Sequence, residues 1–339
     1  MEKTYTIGID MGGTNTDLGL VRSDGKIVAR KNLPTKDYTA STTGMTNFQN
    51  FMADLVKTIG DMVAEGDAET GWHGAISDLT GIGIGAPNAN PEKGSMEEPP
   101  NLKQFEGTSN FVEEFRRLGV AIPVMVDNDA NAAALGEMVY GGAKGMKHFT
   151  MITLGTGVGS GIVVDGKLVH GSTGTAGELG HNILHPHGRP CSCGRCGCLE
   201  EYCSARGVVQ TYIEVRNEWG APKDADRRPG WIGAEVTDAE IQSITVGRAA
   251  SAQDPLALET FRRVGEDLGL ACANAVTFSA PESIFLIGGP TKVGEPLLKP
   301  LREAFEKNLL NIYQGKCRIE MSHMKENEVA ILGAAALAR

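Results

Sequence analysis

At 339 residues the chain exceeds the length at which one hydrophobic core usually stops growing, so it reads as two domains or one elaborated α/β domain. With 41% apolar and 22% charged residues it has the composition of a globular protein, not of a disordered or fibrous one. Lys+Arg number 32 against 42 Asp+Glu, net −10, with no basic run; this argues against nucleic acid as a principal partner, because phosphate neutralisation dominates such binding.

In chain order, the polar Met1-Glu2-Lys3-Thr4 leads straight into a strand, Tyr5 to Asp10, with no signal-peptide pattern. The longest apolar stretches, such as Val120 to Val126, fall far short of the ~20 residues of a membrane span. A cytoplasmic location is the expectation. Leu18 to Val21 predicts a second strand and Ile27 to Ala29 a third after the Asp24-Gly25 turn, an antiparallel meander. From about Thr42 to Glu65 the apolar side chains Met45, Phe48, Phe51, Met52, Leu55, Ile59, Met62 and Val63 recur at helical spacing. Gly81 to Gly85 predicts a buried strand ending at Ala86-Pro87, residues 88 to 107 a loop-rich stretch, and Phe111 to Leu118 a helix. Val124 to Asp127 predicts a strand running into helix Ala130 to Met138; strands His148 to Leu154 and Gly161 to Val164 flank a glycine turn, with Lys167 to Val169 after them. Residues 217 to 236, with Pro222 and Pro229, read as a surface excursion. Leu258, Phe261, Val264 and Leu268 predict a helix before strand Ile284 to Ile287, and a last helix lies near Ile331 to Ala338. Strands alternating with helices mean α/β. The meander pattern starts again near residue 124, so two similar halves are expected.

Glycine is in excess, 44 of 339 residues, or about 13% against about 7% in ordinary proteins. Its short clusters mark sharp turns or close approach to a ligand. Asp10-Met11-Gly12-Gly13-Thr14-Asn15-Thr16 joins two strands; glycines expose backbone N–H groups to an anion, Thr14 adds a hydroxyl, and a carboxylate at a strand end can hold hydrated Mg²⁺. Taken alone it is equally an ordinary hairpin. Leu154-Gly155-Thr156-Gly157-Val158-Gly159-Ser160-Gly161 repeats the device, and two such loops predict a cleft holding a polyphosphate from both sides. Neither a Walker A loop nor a dinucleotide-binding GxGxxG opens a helix here.

Asn128-Asp129 lies where a strand meets an Ala-rich helix, the place of an N-cap or of a general base oriented by the helix N-terminus. Glu178 and His181 are three apart and share a face if helical; Glu200 follows at a helix start. Carboxylates and an imidazole suit polyhydroxyl ligands, although each taken singly is more often a solvated charge or, for Glu200, a helix N-terminal Glu. Cys191, Cys193, Cys196 and Cys198 fall within eight residues, and disulfides are an unusual use for such a cluster without an export signal. His181 with Cys191, Cys193 and Cys198 makes a three-thiolate, one-imidazole set for structural zinc, closing a loop of 18 residues. Cys196, His185 and His187 remain spare candidates, and a redox thiol pair is the alternative.

Together these segments resemble the ROK family of sugar kinases and repressors, within the actin-like/hexokinase ATPase superfamily. The resemblance rests on IGIDMGGTNT at 7–16, GIGIGAPN at 81–88, PNL at 100–102, VDNDANAAALGE at 126–137, TLGTGVGSGIVVDGKL at 153–168, GELGH at 177–181, GRPCSCGRCGCLE at 188–200, IGGP at 287–290 and EVAILGAAALA at 328–338. It covers most of the chain outside 217–236. It implies a two-domain actin-like (ribonuclease H-like) α/β fold with an interdomain cleft. Residues 1–122 would form the N-terminal domain, with the C-terminal helix at about 325–339 packing back on it; residues 123–324 would form the C-terminal domain, carrying the zinc segment 181–198.

The resemblance further implies an ATP-dependent hexose kinase, glucose at its 6-hydroxyl first, with Asp129 as base. Asn101, Asn128, Asp129, Glu178, His181 and Glu200 would bind the sugar. Gly12, Gly13, Thr14, Gly155, Thr156 and Gly157 would form the phosphate loops, Asp10 the Mg²⁺-linked carboxylate and Gly288-Gly289 the adenosine-side turn. The implied zinc ligands are His181, Cys191, Cys193 and Cys198, leaving Cys196 as an extra thiol. Two departures stand out: Ala86-Pro87-Asn88 lacks the glycine that often follows the proline, and Pro290 replaces a third glycine. Family repressors carry an N-terminal helix-turn-helix domain, for which a first strand at Tyr5 leaves no room. The expected partners are a small sugar and Mg-ATP, with neither nucleic acid nor membrane, in a homodimer. Other family acceptors are fructose, mannose, N-acetylglucosamine and N-acetylmannosamine, and a sugar-sensing protein without turnover is the alternative of a different class.

Overall fold

The structure, a computed structural model, describes residues 4–38, 45–99, 102–105, 107–220 and 241–339. The chain divides into two compact units. The first is Met1–Met146 with Leu168–Ala176 and Ser322–Arg339; the second is Lys147–Lys167 with Gly177–Met321.

In the first unit β1 (Tyr5–Met11), β2 (Thr16–Arg22) and β3 (Ile27–Leu33) form the meander, and β4 (Ile82–Gly85) and β8 (Val124–Asp127) add to it in parallel, giving the order β3-β2-β1-β4-β8. Between β4 and β8 come β5 (Ala89–Asn90), β6 (Ser95–Glu97) and β7 (Thr108–Asn110), a small antiparallel sheet whose first two strands lie inside the stretch expected to be loop and whose third follows it. Helix α1 (Asn47–Glu65) starts at Thr46, whose hydroxyl accepts the Gln49 N–H while the Gln49 side chain accepts that of Thr46, a reciprocal cap of two orphan donors. Its apolar face, Phe48 to Val63, is buried with Phe105, Phe111 and Phe115. The short α2 (Phe111–Arg117) leads to β8, and α3 (Asp129–Val139) follows it directly. Because β8 pairs with β4, the first unit runs past the boundary expected at 122/123 and on to Met146.

The last helix, α9 (Glu326–Leu337), packs on β1, β4 and α3, and this contact uses glycine in a way its turn-forming reputation does not suggest. A Cβ at Gly83 would stand 1.8 Å from the Ala334 carbonyl oxygen, and one at Gly8 2.1 Å from that of Ile331. Side chains at those strand positions would lift the helix off the sheet. Part of the glycine excess therefore serves packing.

The second unit repeats the first unit's strand order. Its β9 (Phe149–Leu154), β10 (Val158–Val164) and β11 (Lys167–Leu168) continue into β12 (Ser283–Ile287) and β13 (Arg318–Met321), in the order β11-β10-β9-β12-β13 with β12 parallel to both its neighbours. The two halves are real, but the second meander begins at Phe149, not near 124. Short α4 (Glu200–Cys203), α5 (Ala205–Glu218), α6 (Ser243–Ser251), α7 (Pro255–Ser279) and α8 (Glu295–Asn308) complete the unit. α7 is nucleated by Asp254, whose carboxylate accepts the N–H groups of Leu256 and Ala257, and by Pro255 in its first turn. Of the expected 217–236 excursion, Asn217 and Glu218 end α5, and 221–236 lie outside the described residues.

Candidate active site

The parallel strands β1, β4 and β8 end side by side, with Asp10 opposite Gly85 and Gly85 opposite Asp127. In an open α/β sheet this carboxyl edge is where ligands bind. Three features of the first unit converge there. Asp10 closes β1, opposite Asp17 across the hairpin, and the turn after it is held by the Gly12 N–H donating to the Asn15 carbonyl at 3.0 Å. Asn128 caps α3, its Oδ1 accepting the Ala130 N–H at 2.9 Å. Asp129 is the first helical residue, and its Oδ1 accepts the same N–H at 2.8 Å.

Burial dominates the electrostatics. The Asp10 carboxyl is pushed up to about 7 by burial first, then by the neighbouring charges of Asp129 and Asp17. Asp129 is also raised by burial, against the lowering effect of the helix-terminal N–H groups. Among the described residues, no basic side chain pairs with Asp10, Asp129 or Asp17. Such a set of carboxyls either shares protons or accepts a cation.

The corresponding edge of the second unit carries glycine instead. The β9–β10 turn is closed by the Gly155 N–H donating to the Gly157 carbonyl at 2.9 Å. Beside it Gly288 ends β12 at φ 125°, and a Cβ there would stand 1.9 Å from the Leu154 carbonyl oxygen. Only glycine fits that position. Gly289 opens a short 3₁₀ helix in which Pro290 takes an early position, where its missing N–H costs nothing. The structure thus brings Gly155, Thr156 and Gly157 beside Gly288 and Gly289. Glu200, at the start of α4, reaches the same turn, where its Oε2 accepts the Val158 N–H at 3.0 Å.

Below this turn the four expected metal ligands gather. One donor atom from each of His181, Cys191, Cys193 and Cys198 lies within 4.8 Å of the others, with His181 Nδ1 3.7 Å from Cys191 Sγ and Cys193 Sγ 3.6 Å from Cys198 Sγ. Burial and the neighbouring sulfurs of Cys193 and Cys191 push the Cys198 thiol up to about 12. Arg195 instead holds the exposed Cys193 thiol down at about 6, so the three thiols differ in their readiness to ionise, and a divalent ion would favour the thiolate form of all three. Three sulfurs and one imidazole fit a closed tetrahedral zinc site. Glu200, Glu201 and Cys191 also present donor atoms within 4.8 Å of one another, so the cluster abuts Glu200.

The spare candidates are employed otherwise. Cys196 is exposed, and His187 is exposed too. His185 Nε2 bonds Asp267 Oδ1 at 2.8 Å while its ring packs on Tyr202. Glu178 stands just before the short 3₁₀ turn Leu179–His181, makes no side-chain capping bond there and is exposed. Asn101 lies outside the described residues. Sequence reasoning missed Asp127: it is buried, Oδ1 accepts the Asn128 N–H at 2.7 Å and the Asn131 side-chain amide at 2.8 Å, and Oδ2 bonds His170 Nε2 at 2.6 Å. The only sequence signal was its place in VDND, next to the residues that drew attention.

The sequence model of the ROK family matches residues 6–339. The chain is 36% identical, over 90% of its length and 86% of the relative's, to a glucokinase of Halalkalibacterium halodurans. It is 31% identical, over 76% of its length and 62% of the relative's, to a xylose repressor of Caldicellulosiruptor bescii. Among solved structures it matches a ROK family glucokinase from Streptomyces griseus in complex with glucose and AMPPNP, with TM-score 0.76, 30% identity and 99% of each chain covered. The two mixed α/β sheets and the Cys/His cluster accord with that fold and with the family's zinc motif. Among the described residues, no helix is long and apolar enough to cross a membrane.

Proposed function

The chain belongs to the ROK family, and from that premise we propose that it is an ATP-dependent hexose kinase, phosphorylating the 6-hydroxyl of glucose. The observation that carries this reading is the place of Asp129, a carboxyl in the first turn of α3 at the carboxyl edge of the sheet, close enough to Asp10 for their charges to interact and with its own proton affinity raised. A base that must take a proton from an alcohol works best with its pKa lifted toward the working pH. In the proposed reaction Asp129 accepts the hydroxyl proton as the oxygen attacks the γ-phosphorus in line. Catalysis is then mainly positioning and charge stabilisation.

The sugar hydroxyls are assigned to Asn101, Asn128, Asp129, Glu178, His181 and Glu200. The phosphates are assigned to the glycine turns of Gly12, Gly13, Thr14 and Gly155, Thr156, Gly157, and the adenosine side to Gly288-Gly289. Asp10, lifted by burial and acidic neighbours, is the residue that would hold magnesium, which when bound neutralises phosphate charge. His181, Cys191, Cys193 and Cys198 would hold a structural zinc whose contribution is cross-linking. A cytoplasmic homodimer belongs to the same proposal.

The test is ADP release from Mg-ATP with glucose, fructose, mannose, N-acetylglucosamine and N-acetylmannosamine, with Asp129→Asn as the blank. Turnover with glucose at the highest kcat/KM is expected; turnover confined to another member of the panel would keep the kinase and replace the substrate. The repressor relative favours a second reading, a sugar-sensing protein. It predicts sugar binding by calorimetry with no ADP release.

A further inference from the structure

The two glycines of Gly155-Thr156-Gly157 face different surroundings. A Cβ on Gly155 would meet nothing within 4 Å, whereas one on Gly157 would stand 2.5 Å from Glu200 Oε2. That oxygen also accepts the Val158 N–H, and Glu200 Oε1 lies 3.6 Å from Arg206 Nη2. The turn is tied to the next helix by the Ala205 N–H, which donates to the Gly155 carbonyl at 2.9 Å. Neither glycine has a positive φ, so backbone freedom explains neither.

A glycine that opens onto free space lets a ligand approach the backbone. A glycine whose missing side chain is replaced by a carboxylate of the same protein serves that carboxylate. The Val158 N–H, moreover, already donates to Glu200. We propose that Gly157 and the Val158 N–H form a seat for Glu200, so that Gly157 is a positioning residue for the sugar, while Gly155 is the member of the turn that serves phosphate. This rests on the assignment of Glu200 to the sugar under Proposed function, and it reassigns Gly157 from the phosphate group.

A carboxylate accepts sugar hydroxyls through lone pairs of fixed direction. The Val158 N–H holds that direction, while Arg206, which bonds Glu201 at 2.9 Å, adds its charge 3.6 Å from Glu200, whose side chain is 14% exposed. An added methyl at Gly157 forces the carboxylate away, and a misplacement of about 1 Å costs on the order of 100-fold in rate.

The experiment compares wild type, Gly155→Ala, Gly157→Ala, Glu200→Ala and the Gly157→Ala/Glu200→Ala double variant, all zinc-loaded, by steady-state kinetics with glucose and Mg-ATP and by thermal unfolding. Gly157→Ala is expected to raise the sugar KM roughly tenfold to 100-fold with the ATP KM within about twofold of wild type. Gly155→Ala is expected to do the reverse, and Gly157→Ala should add nothing to Glu200→Ala. A rise in the ATP KM of Gly157→Ala, alone or alongside the sugar's, overturns the proposal, as does no change in either. The unfolding temperatures supply a cycle that needs no turnover: the methyl should destabilise the wild type and be tolerated once Glu200 is truncated, whereas additive losses overturn the seat. If no sugar in the panel is phosphorylated even by wild type, the kinase reading fails, and the unfolding cycle still decides whether Gly157 seats Glu200.

Discussion

At the end of β1 the first unit places the half-buried carboxyl of Asp10, and beside it, after β8, the more open carboxyl of Asp129. At the matching ends of β9, β12 and β13 the second unit places Leu154, Ile287 and Met321, followed in two cases by glycine. The strand order is the same in both. One five-strand frame thus carries carboxyls at this edge in one copy and glycine turns in the other. The frame fixes where a ligand edge lies, and the side chains at that edge decide what it does.

The largest effect that would break this division comes from the carboxylate edge. Asp129→Asn keeps the size of the side chain and removes the base, so kcat with the preferred sugar should fall by about 10²–10⁴-fold, the usual contribution of general-base catalysis. The sugar dissociation constant, measured by calorimetry without nucleotide, should change far less. Loss of sugar binding equal to the loss of turnover would make Asp129 a binding residue and leave the first unit without its distinctive chemistry.

Next comes metal removal, which should strike the second unit alone. Its cluster closes residues 181 to 198, a segment otherwise tied by a few backbone bonds such as that from the Leu184 N–H to the Gly197 carbonyl, by the His185–Asp267 pair and by Arg189, whose guanidinium stacks on Tyr202 and pairs with Glu214. Chelation followed by calorimetry should shift the second unit's unfolding to lower temperature and leave the first unit's transition in place. Because binding free energy in such sites is folding free energy, the loss should amount to several kcal/mol. A melting profile identical before and after verified zinc removal would mean that the cluster holds nothing together.

How far the sequence foretold this contrast depended on the range of the interaction. The spacing of Phe48, Met52, Leu55, Ile59 and Met62 announces α1 because a helix face is decided locally. The gathering of His181 with Cys191, Cys193 and Cys198 was legible because four strong metal ligands lie in one short segment. Strand pairing is not local: Val124 to Asp127 reads equally well as the start of a second half, and only its register with β4 places it in the first. Pro296 and Pro300 obscured α8, although one stands in its first turn and the other is absorbed inside it. The Asp127–His170 bond joins residues 43 apart with α3 and β9 to β11 between them, and the packing use of Gly8 and Gly83 depends on a helix some 250 to 330 residues further on. No pattern within a window carries either.

Those packing glycines give a smaller test within the first unit. Gly83→Ala drives a methyl against the Ala334 carbonyl, and overpacking of this kind costs about 1–3 kcal/mol or somewhat more. Gly60→Ala, within α1 where an added Cβ meets nothing, should instead stabilise by about 0.5–1 kcal/mol. Urea midpoints would separate them. Equal effects would show that helix propensity and not close approach selects glycine here.

The last expected effect is a slope with pH, and it too should belong to the first unit. In the folded chain the Asp10 carboxyl sits at about 7, against an ordinary 3.8; its folded value is raised, so between these two pH values the folded state holds a proton that the unfolded state has released. Stability from this group is therefore greatest at low pH, falls as pH rises toward 7 and levels off above it, with a slope of at most about 1.4 kcal/mol per pH unit for one proton. The raised Asp129 acts in the same sense. Asp10→Asn should remove the Asp10 share, so the difference in unfolding free energy between variant and wild type should grow from pH 5.5 to 7 and then stay constant. Taking that difference cancels the pH dependence of the Cys/His cluster, which both proteins share. Millimolar Mg²⁺ should shrink the difference, because a cation stabilises the ionised carboxyl. A difference independent of pH would mean that Asp10 is already ionised in the folded chain, and that the two edges differ less in charge than their residues imply.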